Sequence, residues 1–145
     1  MLKLNLVGTF NAVRLGSARI AQVDEVDGER GALVLTASVA AYEGQIGQIP
    51  YATTKAGIVG MTITAARDLA SRRIRVCTIA PGVMDTPLLA RVRPDVRAAL
   101  EESVPNPPRL GQPDEFGQLA VHILTNAYLN GETIRLDGVL RMAPR

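Results

Sequence analysis

The sequence predicts an α/β domain built on a parallel sheet. Three observations carry that prediction. Ala32-Leu33-Val34-Leu35-Thr36 is a short continuous apolar run, the pattern of a strand buried on both faces. Ile74 to Ile79 is a second β-rich run, stopped by Pro81-Gly82. Thr133-Ile134-Arg135-Leu136 is a third, short one after Asn130-Gly131. Helical patterns separate them, and the order helix, strand, helix, strand, helix, strand is that of a parallel sheet with crossover helices.

Each element has a local reason. Leu2 to about Ala21 reads as a helix whose pattern is interrupted by Gly8 and Gly16. Asp24 to Gly31 is charged and bounded by glycine, hence a loop. Ser38 to Gln48 is small and polar, with Gly44 and Gly47 working against regular structure. Pro50 suits the first turn of a helix, where its missing N–H is not needed. That helix is expected to reach about Ser71, with Ile58, Thr62, Ala65 and Leu69 on its packed face. Thr86 to Glu102 has a helical pattern broken by Pro87 and Pro94, and Pro105, Pro107 and Pro108 make an irregular connector. Pro113 opens a last helix with Asp114 and Glu115 in its electropositive first turn. Phe116, Leu119, Ala120, Ile123 and Leu124 are its expected buried stripe. Three strands make a thin sheet, and nothing in the chain supplies a second neighbour for the strand at Leu33. An open apolar edge of that kind invites association.

The bulk numbers suit one domain over residues 1–145 with a moderate core. Apolar residues are 47% and charged residues 21%, the balance of a soluble globular chain. No run is long enough to span a bilayer, and the N-terminus lacks a signal-peptide layout, so no membrane partner is expected. The single cysteine, Cys77, cannot form an internal disulfide and fits a reducing cytoplasm. A net charge of +2 gives no case for nucleic acid. Arg67, Arg72, Arg73 and Arg75 have no interleaved aromatics and read as a solvated helix end. His122, the one histidine, reads as a surface residue, and no Cys/His/carboxylate cluster has the spacing of a metal site.

The chemistry concentrates in Ser38, Tyr51 and Lys55. Tyr51 and Lys55 stand four residues apart, so on a helix they share a face. A phenol is a poor base at neutral pH because its ordinary pKa is about 10. A cation beside it favours the phenolate, and Lys55 is one of only two lysines in the chain. Ser38 follows the first apolar run and could hydrogen-bond the oxygen of an alcohol or carbonyl while Tyr51 exchanges its proton. A hydride must then arrive or leave, which calls for a nicotinamide. Taken alone, the same residues also describe a solvated helix face and a loop or capping serine.

The surrounding motifs resemble the C-terminal part of a short-chain dehydrogenase/reductase. Asn5-Leu6-Val7-Gly8-Thr9-Phe10 is similar to the family's central-helix segment, and Ser38, Tyr51 and Lys55 fall on its serine, tyrosine and lysine. Pro81-Gly82-Val83-Met84-Asp85-Thr86-Pro87 resembles the segment against the nicotinamide, and Arg109 to Glu115, Asn130-Gly131 and Asp137-Gly138 complete the set. Ser38 to Gln48 and Leu129 to Gly138 are most similar to the type 2 3-hydroxyacyl-CoA dehydrogenases within that family. The resemblance implies the C-terminal half of a Rossmann-type, doubly wound parallel sheet. It implies an NAD cofactor, with NADP left open, and oxidation of a secondary alcohol, a 3-hydroxyacyl thioester among the candidates. It assigns Asn5, Ser38, Tyr51 and Lys55 to catalysis, with Asn5 holding a relay water. Tyr51, Lys55, Pro81, Gly82, Val83 and Thr86 would touch the cofactor, and Ser38 and Gln45 the substrate. Gln45 reads equally as a loop-capping amide. The resemblance also implies a homo-oligomer, a dimer or tetramer, with the central helix and the Pro50–Ser71 helix at one interface.

The pattern departs from the family at its N-terminal side. No strand, glycine-rich turn and helix for the pyrophosphate precedes Asn5, and Gly57 and Gly60 lie within the Tyr51 helix pattern instead. The expectation is a truncated Rossmann-type domain, the catalytic half without the N-terminal nucleotide-binding strands, inactive by itself. The alternative is a non-catalytic fragment, or an assembly and complementation partner acting through oligomer contacts.

Overall fold

The middle strand organises the molecule. The computed structural model describes residues 1–145. A π-helical turn, Leu2–Val7, runs directly into α1, Gly8–Ile20. β1 (Gly31–Thr36), α2 (Ile49–Leu69), β2 (Ile74–Pro81), α3 (Pro94–Glu102), α4 (Pro113–Thr125) and β3 (Thr133–Leu136) follow. β2 lies between β1 and β3, parallel to both, with Gly31 opposite Ile74 and Thr78 opposite Thr133. All of β2 except Pro81 is buried.

Alternation along β2 sorts the core into two layers, since successive side chains leave a strand on opposite faces. Val76 and Ala80 join Val13, Leu35, Ile58, Ala65 and Ala66 beneath α1 and α2. Cys77 and Ile79 meet Ile123, with Phe116, Leu119 and Ala120 of α4 beside them. Thr78 shares the α2 side, where its hydroxyl and that of Thr62 lie 2.6 Å apart. Thr62 also donates to the Ile58 carbonyl if Thr78 donates to it, so both buried hydroxyls can be satisfied.

The expected face of α2 is confirmed in Ile58, Thr62 and Ala65, all buried, with the partly buried Leu69 packed against the same core. The helix gives way at Leu69 to a 3₁₀ turn, Ala70–Arg72, and then to Arg73 in the left-handed region. Pro94 restarts the chain as α3 after a 3₁₀ turn at Leu89–Arg91, because a proline can open a helix but cannot donate inside one. Asn130-Gly131 clips β3 to the sheet: Asn130 Oδ1 accepts from the Val76 N–H, and the Gly131 N–H donates to the Val76 carbonyl. Gly131 has φ +78°, and a Cβ there would lie 2.9 Å from Ile63 Cδ1, so a side chain is disfavoured twice.

Three expectations are corrected. β1 is not buried on both faces: Leu35 is buried, whereas Gly31 to Val34 are half-buried, because β1 pairs only with β2 and its other edge is open. Leu124 is exposed, turned off the stripe that Ile123 occupies. Arg75 is not at a solvated helix end. It lies in β2 with 7% of its surface exposed. Its guanidinium donates to the carbonyls of Ile123, Leu124 and Leu129 and pairs with Glu29 at 3.0 Å. A fixed cation therefore caps the electronegative end of α4, where unpaired carbonyls gather. No helix is long and apolar enough to cross a membrane.

Candidate active site

The site forms where β1 and β2 end. In open parallel sheets the carboxyl ends of the strands leave a crevice, and ligands bind there. Beyond Thr36 the Ala37 N–H still donates to the Ile79 carbonyl, carrying the pairing up to Ser38. Ser38 is 8% exposed and caps a 3₁₀ turn, Val39–Ala41, its Oγ accepting from the Ala40 N–H at 3.1 Å. The capping role and a substrate-facing role are compatible. The cap uses one oxygen lone pair and leaves the hydroxyl proton free to be donated.

Tyr51 stands half-buried in the first turn of α2, and Pro50 beside it occupies the early helical position its ring suits. A cavity of about 410 Å³ brings Tyr51 together with Ser38, Gly82, Val83 and Thr86. Met84, Leu88, Leu89, Val92 and Met142 make most of its remaining wall apolar. Lys55 lies one turn along α2, its Nζ 5.8 Å from the centre of the Tyr51 ring. The same nitrogen donates to the Thr36 carbonyl at 3.0 Å. Burial pushes the Lys55 ammonium below its ordinary pKa.

The remaining predicted residues lie around this cavity. Pro81 ends β2 and pairs with Leu136, while Gly82 approaches Asp137 so closely that a Cβ would lie 2.9 Å from its Cα and Cβ. The need for glycine there is thus met by packing within the chain. Asn5 is half-buried in the π-turn, and its carbonyl accepts from the Thr9 hydroxyl at 2.6 Å. Single π-turns within helices are often functional sites. That turn lies against α2, where Leu6 sits over Gly57. Gln45 borders a second cavity of about 300 Å³, which shares Val83 and Met142 with the first.

Two features have no local signal in the sequence. Gln48, Leu88, Leu89, Val92 and Met142 line the cavity, brought there from three separate stretches of the chain. The loop carrying Gln45 is held by Glu43, whose carboxylate takes a bidentate pair from Arg135 at 2.8 and 3.2 Å and the Met142 N–H at 3.1 Å. Arg135 also donates to Asp137 at 2.6 Å. The Arg135 hydrogen bonds hold Glu43 below the usual carboxylate range, against the opposing effect of its partial burial, with the Met142 N–H and Arg141 adding to the shift.

A parallel sheet with helices on both faces, a serine at one strand end and a Tyr-x-x-x-Lys helix beside the next define a class. The chain belongs to the short chain dehydrogenase family, whose model matches residues 1–97. Its relatives narrow the comparison. It is 51% identical to the 3-hydroxyacyl-CoA dehydrogenase type-2 of Drosophila melanogaster over 145 residues, 99% of this chain and 57% of that protein. The crystal structure of 3-hydroxyacyl-CoA dehydrogenase type-2 from Mycobacterium avium superposes with a TM-score of 0.96 at 54% identity, covering 99% of this chain and 56% of that one. A 3-oxoacyl-[acyl-carrier protein] reductase from Brucella melitensis with bound NAD superposes with a TM-score of 0.80 at 34% identity, covering 98% of this chain and 51% of that one. The chain therefore spans about half the length of the relatives it matches.

Proposed function

We propose that these residues are the proton-transfer half of an NAD(P)-dependent oxidoreductase interconverting a secondary alcohol and a ketone. The favoured substrate is a 3-hydroxyacyl thioester and the favoured carrier is NAD. The observation behind this reading is the shared cavity of Ser38, Tyr51 and Thr86, with the Lys55 cation one turn away. Its largely apolar wall suits an acyl chain, and the names of the relatives point to thioesters.

The chemistry follows from what each side chain has left to offer. The substrate hydroxyl sits between Ser38 and Tyr51. Tyr51, as phenolate, takes the O–H proton, and the electrons of that bond close the carbon–oxygen double bond. Ser38 holds the oxygen with the proton its cap leaves free. Lys55 has three donors and gives one to Thr36, leaving two for a ribose and for the charge at Tyr51. The bound nicotinamide supplies the acceptor for the hydride that leaves the same carbon. Tyr51, Lys55, Pro81, Gly82, Val83 and Thr86 would hold its nicotinamide end. Asn5 would hold a relay water behind Lys55, and Gln45 would meet the substrate from the adjoining cavity.

Two further readings accompany this one. The protein works as a homo-oligomer: Phe10, 53% exposed, and Val7 leave α1 and the turn before it with an uncovered apolar face. It resides in the cytoplasm, a reading supported by a lone, buried, free thiol at Cys77.

Turnover of a 3-hydroxybutyryl thioester with NAD tests the proposal. The 145 residues are assayed alone and joined to a strand–glycine-turn–helix segment. Turnover in the joined protein is expected, with weak or no NADH binding by the 145 residues alone. A joined protein that folds and binds NADH but leaves the thioester unchanged would sink it.

A further inference from the structure

Two half-buried side chains, Val83 and Met142, line both the cavity of Ser38 and Tyr51 and the adjoining one of about 300 Å³. One stretch of chain also continues along both. Leu88, Leu89 and Val92 line the first cavity, and Val96, Ala99 and Leu100 line the second. These last three recur at intervals of three and four residues and so share one face of α3. An apolar helix face is ordinarily packed on the core. That of α3 is not: the helix has no buried residue, and Val96 is 41% exposed. Its apolar face is turned to a cavity beside the reacting groups.

Met142 stands where the two cavities meet. Its backbone is anchored: its N–H donates to Glu43 Oε2 at 3.1 Å, and the Ala143 carbonyl accepts from Gln45 Nε2 at 3.2 Å. The Ile46 N–H holds the Pro144 carbonyl at 2.9 Å. Its side chain is unbranched and turns about three bonds, which lets it adapt to what lies against it. Two arginines also line the second cavity. Arg141 is already matched by Glu43 at 3.4 Å and Asp137 at 3.3 Å. Arg145 would suit an anionic carrier arm instead, an occupant that the test below separates.

We propose that Met142 sets the length of acyl chain the site favours. It is the movable partition between the two cavities, and a chain too long for the first passes it to lie against Val96, Ala99 and Leu100. The proposal rests on the reaction assigned above. The first cavity must also take the nicotinamide end of the cofactor, which leaves room for the reacting carbons and little for a tail. A saturated tail has no polar group to satisfy, so the apolar face of α3 matches it by area alone.

The 3-hydroxybutyryl and 3-hydroxyoctanoyl thioesters of N-acetylcysteamine test this in the 145 residues joined to a strand–glycine-turn–helix segment. Wild type is expected to favour the octanoyl thioester in kcat/KM by about tenfold or more, since each methylene buried contributes about fourfold. Met142→Ala removes the partition and is expected to raise that ratio by a further factor of about four or more. Ala99→Trp fills the second cavity from an exposed position on α3 and is expected to bring the ratio to about one. A wild-type ratio of about one overturns the proposal. So does a ratio that is unmoved in Met142→Ala, or an octanoyl preference that survives in Ala99→Trp. A carrier arm in the second cavity gives that survival, because the preference then does not depend on Ala99. If Ala99→Trp fails to fold, the wild-type and Met142→Ala ratios decide. If neither thioester turns over, the assigned reaction fails separately. Calorimetric binding of the 3-oxobutyryl and 3-oxooctanoyl thioesters then reads the same ratios without catalysis.

Discussion

Lys55 Nζ donates to the carbonyl oxygen of Thr36 at 3.0 Å, joining α2 to the last residue of β1. The chain passes from that carbonyl to Ser38 in two residues, while Tyr51 stands one turn back along α2. One cation therefore sets the distance between the two groups that would hold the substrate oxygen. Lys55→Met is expected to loosen this spacing as well as remove the charge, so kcat should fall by about 10²-fold or more. Crystallography of the variant should show the start of α2 shifted from Thr36, and an unmoved helix with full activity would contradict the role.

Gly57 lets the π-turn carrying Asn5 pack onto α2, since a Cβ there would lie 2.6 Å from Leu6 Cδ1. Leu6 is flexible, so Gly57→Ala should be tolerated with a small loss. Gly57→Val should cost about 1–3 kcal/mol, the range for overpacking. Urea denaturation measures the difference between the two.

Arg75 binds the Ile123 and Leu124 carbonyls at the end of α4, the Leu129 carbonyl beyond it, and Glu29 on the loop before β1. Arg75→Met should destabilise the protein by about 3–5 kcal/mol, because it strands a partly buried carboxylate and leaves the carbonyls without their donor. Arg75→Lys should recover little, as a single ammonium cannot reach the same fork of acceptors. Chemical denaturation of the two variants gives the comparison.

Acid should loosen the loop beside the site. Arg135 holds the Glu43 carboxyl below its ordinary value, and Arg109 with the Gln112 N–H holds Glu115 down at about 2. For a carboxyl depressed in the folded state, the stabilisation is present above the unfolded pKa, about 4.3 for a glutamate. It is lost as pH falls toward the folded value. Melting temperature should therefore decline as pH is lowered below that range toward 2. Glu43→Gln should start lower and decline less. An identical slope in that variant would remove Glu43 from the account.

The elements whose energetics are local were legible in the sequence. Ile58, Thr62 and Ala65 announce the buried face of α2 by their spacing, and Pro113 with Asp114 and Glu115 announces the start of α4. The Tyr51–Lys55 interval lies on one helix, so its geometry follows from sequence distance alone. What was hidden depends on contacts across the chain. Arg75 looked like its arginine neighbours because the carbonyls it caps are 48 to 54 residues away. Glu43 gave no sign of its pairing with Arg135, 92 residues on. Gln48 was readable as a residue ahead of a helix, but the orientation of its amide is dictated by Ala143, near the opposite end of the chain. β1 looked like a fully buried strand because its composition is that of one, while its exposure depends on what pairs with its open edge.

In the proposed reaction Tyr51 exchanges the substrate proton. The most direct measurement is the steady-state oxidation of a 3-hydroxybutyryl thioester by the 145 residues joined to a strand–glycine-turn–helix segment, and by the Tyr51→Phe variant of that joined protein, with NADH affinity measured in both. Loss of the phenolic oxygen should lower kcat by about 10²- to 10⁴-fold, the range for general acid–base catalysis, while the cofactor binds as before. Unchanged turnover in Tyr51→Phe would contradict the account.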